Sequence, residues 1–143
     1  MRHKYFVFVS HSSADAWTAG RLHRAIRELG ADAFLSTADI AGGDDFGAKM
    51  QEAMERADEC VVLYTPEAAQ SRTVWIELGG AWFMRKRVVI IVSRMTVSEV
   101  TSDPRFPQPL NALDCIDLNS EVDSRYLPEF EARIHAHRSN LKL

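Results

Sequence analysis

The chain is predicted to fold as a doubly wound α/β domain, a five-stranded parallel sheet in the order 2-1-3-4-5 with helices on both faces. Two observations predict it. Short runs dense in β-branched and aromatic residues recur along the 143 residues, and stretches with apolar residues at helical spacing separate them. Strands joined by helical crossovers lie parallel, and right-handed crossovers leave few arrangements.

The first strand is Tyr5-Phe6-Val7-Phe8-Val9, nearly continuous in apolar character, as expected for a parallel strand covered on both faces. Polar residues Ser10 to Asp15 then open a helix whose apolar positions Leu22, Ala25, Ile26 and Leu29 follow the helical period, and Gly30 stops it. Ala33-Phe34-Leu35 is a short second strand. After a loop from Ser36 to Asp44, Phe46, Met50, Ala53, Met54 and Ala57 mark one face of a second helix, with Asp44-Asp45 at its start favoured by the helix dipole. Cys60 to Tyr64 is the third strand, and a third helix opens between Pro66 and Ser71 and runs to about Met84. Val88 to Val92 is the fourth strand. Thr96-Val97-Ser98-Glu99 has the form of a capping box, so a short helical turn is expected before the proline-rich loop Asp103 to Pro109. Leu113 to Leu118 supplies the fifth strand, and Leu127, Phe130 and Ile134 mark the last helix, with Pro128 acceptable in its first turn.

The length fits one domain over residues 1–143 with a single hydrophobic core, and 46% hydrophobic and 26% charged residues are the balance of a soluble globular chain. The net charge of −3 argues against nucleic acid as the partner, and the only basic cluster, Arg85-Lys86-Arg87, is read as serving a helix end. The apolar stretch after Met1-Arg2-His3-Lys4 is too short for a signal peptide or a membrane span. Cys60 and Cys115 each sit in an apolar run and read as small core residues, so a reduced, cytoplasmic setting is expected.

One residue stands out against this background. From Thr73 to Met84 the third helix is almost wholly apolar or small except for Glu77, and a carboxylate buried without partners is expensive. Residues four before and three and four after share its face, so Thr73, Gly80 and Ala81 flank it and all are small, whereas Trp75 projects roughly 160 degrees away at about 100 degrees per residue. Ligands of such sheets bind beyond the carboxyl ends of the strands where the order reverses, here between strands one and three. Glu77 would lie near that crevice. The residues alone leave two readings open, a ligand-directed carboxylate and a solvated or ion-paired one. Gly79-Gly80 likewise could make room for a ligand or for close helix packing.

At this point the motifs resemble a known family. Tyr5 through Asp15, containing Phe8-Val9-Ser10-His11-Ser12-Ser13, resembles the first motif of bacterial Toll/interleukin-1 receptor (TIR) domains. Phe34-Leu35 followed by Asp39 to Phe46 resembles the family's second strand and BB loop, and Glu77-Leu78-Gly79-Gly80-Ala81-Trp82 resembles its glutamate motif. The three occur in the family's order over nearly the whole chain. The resemblance implies a flavodoxin-like fold, self-association between like domains and, as in many bacterial and plant members, cleavage of NAD+ at the nicotinamide-ribose bond to give nicotinamide and ADP-ribose or a cyclic isomer. It also implies a place in bacterial immune signalling.

Within that resemblance Glu77 matches the catalytic glutamate. His11, Ser12 and Ser13 match the dinucleotide-contacting loop, Ala41 a BB-loop contact, and Thr73 stands where catalytic members usually carry a stacking Trp. Nicotinamide leaves a pyridinium as a neutral base and needs no general acid, and a single carboxylate can stabilise the oxocarbenium-like transition state. NAD+ is then a substrate, and neither a cofactor nor a metal is expected. His3, His23, His135 and His137 read as scattered surface residues without a metal or catalytic role, and Met50 and Met54 as core filling. The competing functions are a non-catalytic TIR interaction module, in which Glu77 is incidental, and a deoxyribosyltransferase-like enzyme using it as a nucleophile. A phosphoacceptor receiver domain is disfavoured because the third strand ends Tyr64-Thr65-Pro66 where such a domain needs Asp.

Overall fold

A computed structural model of the chain describes residues 3–36 and 43–141, with side chains at all of these except 43–46, 111 and 112. The sheet is parallel throughout and its strand order is 2-1-3-4-5, as the sequence predicts. The strands are β1 (Phe6–Ser10), β2 (Asp32–Leu35), β3 (Glu59–Tyr64), β4 (Arg87–Val92) and β5 (Asp114–Asp117), and the helices are α1 (Ala16–Glu28), α2 (Gly43–Arg56), α3 (Arg72–Phe83), α4 (Val97–Ser102), α5 (Leu118–Glu121) and α6 (Leu127–Leu141).

Alternation along the central strands sends side chains into two separate layers. Phe8, Val62 and Ile90 face α2 and α3, where they meet Ala53, Met54, Val74, Leu78 and Ala81. Their neighbours Val7, Val9, Leu63 and Ile91 face α1 and α6, against Leu22, Ile26, Phe130 and Ile134. Strands covered on both sides are apolar along nearly their whole length, which is why the middles of β1, β3 and β4 read as continuous runs. Each fully buried Leu, Ile or Phe contributes roughly 1.5–3 kcal/mol relative to exposure, so these two layers carry most of the stabilisation.

Local signals explain the boundaries. Gly30 closes α1 with φ +97°, a left-handed backbone conformation that calls for glycine. Ser71 caps α3 by accepting from the Val74 amide at 3.3 Å. The predicted capping box opens α4: Thr96 Oγ1 accepts from the Glu99 amide, and the Glu99 carboxylate accepts from the Thr96 amide. The proline-rich segment ends in a 3₁₀ turn over Gln108–Ala112.

Several features depart from the sequence reading: β1 is shifted one residue along, β2 and β4 start one residue early, and Leu118, expected in the fifth strand, opens α5. A π-helical turn, Val122–Tyr126, links α5 to α6 and buries Val122 and Tyr126. And β3 starts one residue earlier than expected, on Glu59, which is fully buried. Its carboxylate accepts from both Arg133 nitrogens (2.8 and 3.1 Å) and from the hydroxyls of Tyr5 (2.8 Å) and Tyr126 (2.5 Å), so the charge is neutralised and its lone pairs are filled.

Candidate functional site

α3 follows β3 and packs back across β3 and β1, and this places the middle of the helix over the carboxyl end of β1. Glu77 is carried there at 3% exposure. Ser10, the last residue of β1, donates its hydroxyl to Oε1 at 2.6 Å, and Ser36, the residue after β2, donates to Oε2. Burial raises the Glu77 pKa above the ordinary glutamate value, and the two hydroxyls pull it partway back by favouring the charged form. Among the described residues no cation pairs with it.

The carboxylate therefore sits beside β1 and β2, one strand over from the crevice expected between β1 and β3. That crevice is spanned by a polar network. The buried Asp15 accepts at Oδ2 from Ser12 (2.8 Å) and Thr65 (2.5 Å) and at Oδ1 from Arg94 (2.7 Å), and Arg94 also holds Glu67. The loops after β1, β3 and β4 are thereby tied together at the carboxyl edge, and the open space beside Glu77 falls between α2 and α3.

That space is a cavity of about 180 Å³ lined by Met50, Gln51, Met54, Ile76, Glu77, Gly80 and Met84. Its walls are apolar apart from Gln51 and the carboxylate. Typical small-molecule pockets run to roughly 300–1,000 Å³, so this one is smaller than a whole ligand pocket of that kind. Among the described residues a Cβ at Gly79 or Gly80 would meet nothing within 4 Å, so close packing against these residues does not call for glycine there. Of the small residues expected beside Glu77, Gly80 lines the cavity, Ala81 is in the core against the sheet, and Thr73 is half-buried one turn before the glutamate. Trp75 points away as helical geometry requires: it packs on Tyr64 and Phe106, and its indole N–H donates to the Ala69 carbonyl at 3.0 Å.

The loop residues divide. His11 is buried, with Nδ1 against the Ser12 carbonyl at 2.7 Å, and its Nε2 has no partner among the described residues. With the proton on Nδ1, Nε2 is a bare acceptor. Ser12 is committed to Asp15, and Ser13 is exposed. Ala41 lies outside the described residues, as do the side chains of Phe46 and the capping pair Asp44-Asp45. Sequence reasoning missed Ser36 as a partner of the glutamate, and it treated Ser10 only as the edge of a motif. Neither pairing has a local signal, since the contacts span 67 and 41 residues.

Comparison with known proteins follows from this geometry. A family model described as TIR domain matches residues 7–133. Among solved structures, the TIR domain of a Toll-related receptor from Hydra magnipapillata superposes with a TM-score of 0.68 at 17% identity, covering 90% of this chain and 97% of that one. A metazoan TIR-STING receptor from C. gigas, solved with 2',3'-cGAMP, gives a TM-score of 0.68 at 20% identity over 94% of this chain and 41% of that one. The CMP N-glycosidase of Clostridium botulinum gives 0.55 at 18% identity over 89% and 98%. At these identities the likenesses concern the fold. No curated protein matches the chain.

Proposed function

This chain belongs to the TIR domain family, and from that premise we propose that it cleaves NAD+ at the nicotinamide-ribose bond, with Glu77 as the catalytic carboxylate. The observation that carries the reading is the environment of Glu77: a buried carboxylate, held at both oxygens by hydroxyls, lining an apolar cavity with no cation beside it among the described residues. Hydroxyl donors fix its direction while leaving its charge uncompensated. A developing oxocarbenium ion supplies the missing positive charge in the transition state, and in a water-poor site that attraction is far stronger than in water. Ser10 and Ser36 are positioning residues in this scheme. His11 offers its unpartnered Nε2 to the substrate, and Ser13 and Thr73 are free to contact it. The products are nicotinamide with ADP-ribose or a cyclic isomer, and no metal or cofactor enters the reaction.

The cavity holds only part of NAD+, which fits a site completed when a second copy covers the exposed Ile76 and Met84 at its rim. The reading extends to homotypic self-association, a cytoplasmic setting and a role in bacterial immune signalling. Among the described residues no helix is long and apolar enough to cross a membrane.

A second reading, a non-catalytic interaction module, is favoured by one observation: the position where catalytic members carry a stacking Trp is Thr73, and Trp75 is turned into the core. Nicotinamide release from NAD+ at high protein concentration separates the two. Release by the wild type and its loss in Glu77→Gln is the expected result, and equal turnover by both sinks the catalytic assignment.

A further inference from the structure

The opposite end of the sheet carries a second cluster that the proposed chemistry does not use. His3 precedes β1, Asp58 precedes β3, and His137 lies on α6, so residues far apart in sequence meet at the amino ends of two adjacent strands. Each offers one ligand atom, and those atoms all lie within 4.8 Å of one another. We propose that His3, Asp58 and His137 form a binding site for a divalent cation of the Zn2+ class, with water completing the coordination.

The donor set fits such an ion. Two imidazoles and one carboxylate are a recurrent three-residue ligand set for Zn2+, at about 2.0–2.2 Å per bond in a tetrahedral arrangement, which puts neighbouring ligand atoms about 3.4 Å apart. His3 Nε2 and Asp58 Oδ2 already lie 3.2 Å apart. The remaining closure falls to side-chain rotation, for which the half-exposed His3 is free.

The other two ligands are held in advance. Asp58 is fastened to the start of β1: its Oδ2 accepts from the Phe6 amide at 2.9 Å, and its own amide donates to the Phe6 carbonyl at 2.8 Å. The Tyr5 ring meets the His137 ring edge to face at 5.5 Å, and His137 Nε2 lies 2.8 Å from the His3 carbonyl. A histidine that donates one ring N–H to a backbone carbonyl has its tautomer fixed and its other nitrogen bare, the usual outer-shell arrangement of a metal ligand. The sequence reading dismissed these histidines because 134 residues separate the third from the 137th and no local spacing hints at a meeting. A bound ion would clamp the segment before β1 to the last helix.

The test uses the untagged full chain and Zn2+ in equilibrium dialysis, with Co2+ as an optical probe of the same geometry. One equivalent of Zn2+ per chain is expected, with a rise in thermal midpoint on adding Zn2+. His137→Ala and Asp58→Asn should each weaken binding tenfold or more and abolish that rise, read in each case against the variant's own metal-free midpoint. Glu77→Gln should bind Zn2+ normally, since its site is at the other end of the sheet. Absence of binding, its retention in both ligand variants, or a thiolate charge-transfer band with Co2+, which would assign the ion to Cys115, overturns the proposal.

Discussion

Ser36 and Glu77 join through a hydroxyl-carboxylate hydrogen bond across 41 residues, and with Ser10 on the other oxygen the carboxylate is fixed from two strands at once. Replacing either serine by alanine removes a donor that favours the charged form. Under the proposed activity, the acid limb of nicotinamide release should therefore move to higher pH in Ser10→Ala and in Ser36→Ala, and neutral-pH stability should fall by about 1.5–3 kcal/mol, typical of a hydrogen bond to a charged group. An unmoved pH profile would show that the hydroxyls do not tune the carboxylate.

Glu77→Gln should show a pH-dependent effect on stability. Burial raises the folded-state pKa, so the folded chain holds the proton more tightly than the unfolded chain does. The contribution of Glu77 is then most favourable below the ordinary glutamate value and is lost as pH rises through the raised one. Glutamine does not titrate. In urea unfolding, the stability of the Gln variant relative to wild type should increase as pH rises above the ordinary glutamate value. A constant difference across that rise contradicts the assigned burial.

Arg133 is the counter-charge of the fully buried Glu59. Arg133→Met leaves that carboxylate with two phenol donors and no cation, and breaking a buried pair from one side costs about 3–5 kcal/mol. Denaturant midpoints of the single variant and of Arg133→Met combined with Glu59→Gln measure this, and the double variant should recover part of the loss.

How far the sequence discloses these sites depends on how local their signals are. The strand order, the capping box at Thr96 and the direction of Trp75 were all legible, because period, spacing and helical geometry are written within a few residues. Glu59 was not. Next to Asp58, at the foot of an apolar run, it looks like part of a charged turn, and its partners Tyr5, Tyr126 and Arg133 lie 54, 67 and 74 residues away. The π-helical turn at Val122–Tyr126 escaped for another reason, since it interrupts the helical period without a proline or glycine to mark it. Glu77 was legible as an anomaly, while its serine partners required the packing of α3 on β1.

The two thiols should be slow to react. Burial pushes the Cys115 thiol up to about 11, with Asp114 and Glu121 adding to the effect, and Cys60 is fully buried and pushed up further. Under native conditions near pH 7 a disulfide reagent should label Cys115 slowly and Cys60 only on unfolding, read by mass spectrometry of the two peptides. Rapid labelling of Cys60 in the folded chain would contradict its place in the core.

The two buried glutamates give the ends of the sheet opposite electrical characters. Glu59 is matched by a guanidinium, and Glu77, among the described residues, by hydroxyls alone. Whenever Glu77 is ionised, what the protein selects there is then the sign of a guest as much as its shape. Under the proposed activity, the pyridinium of NAD+ should raise the thermal midpoint of the Ser13→Ala protein and the wild type more than the uncharged dihydropyridine of NADH does, and Glu77→Gln should erase that preference. Discrimination between an oxidised and a reduced ring would then rest on one unpaired charge rather than on the fit of the cavity wall.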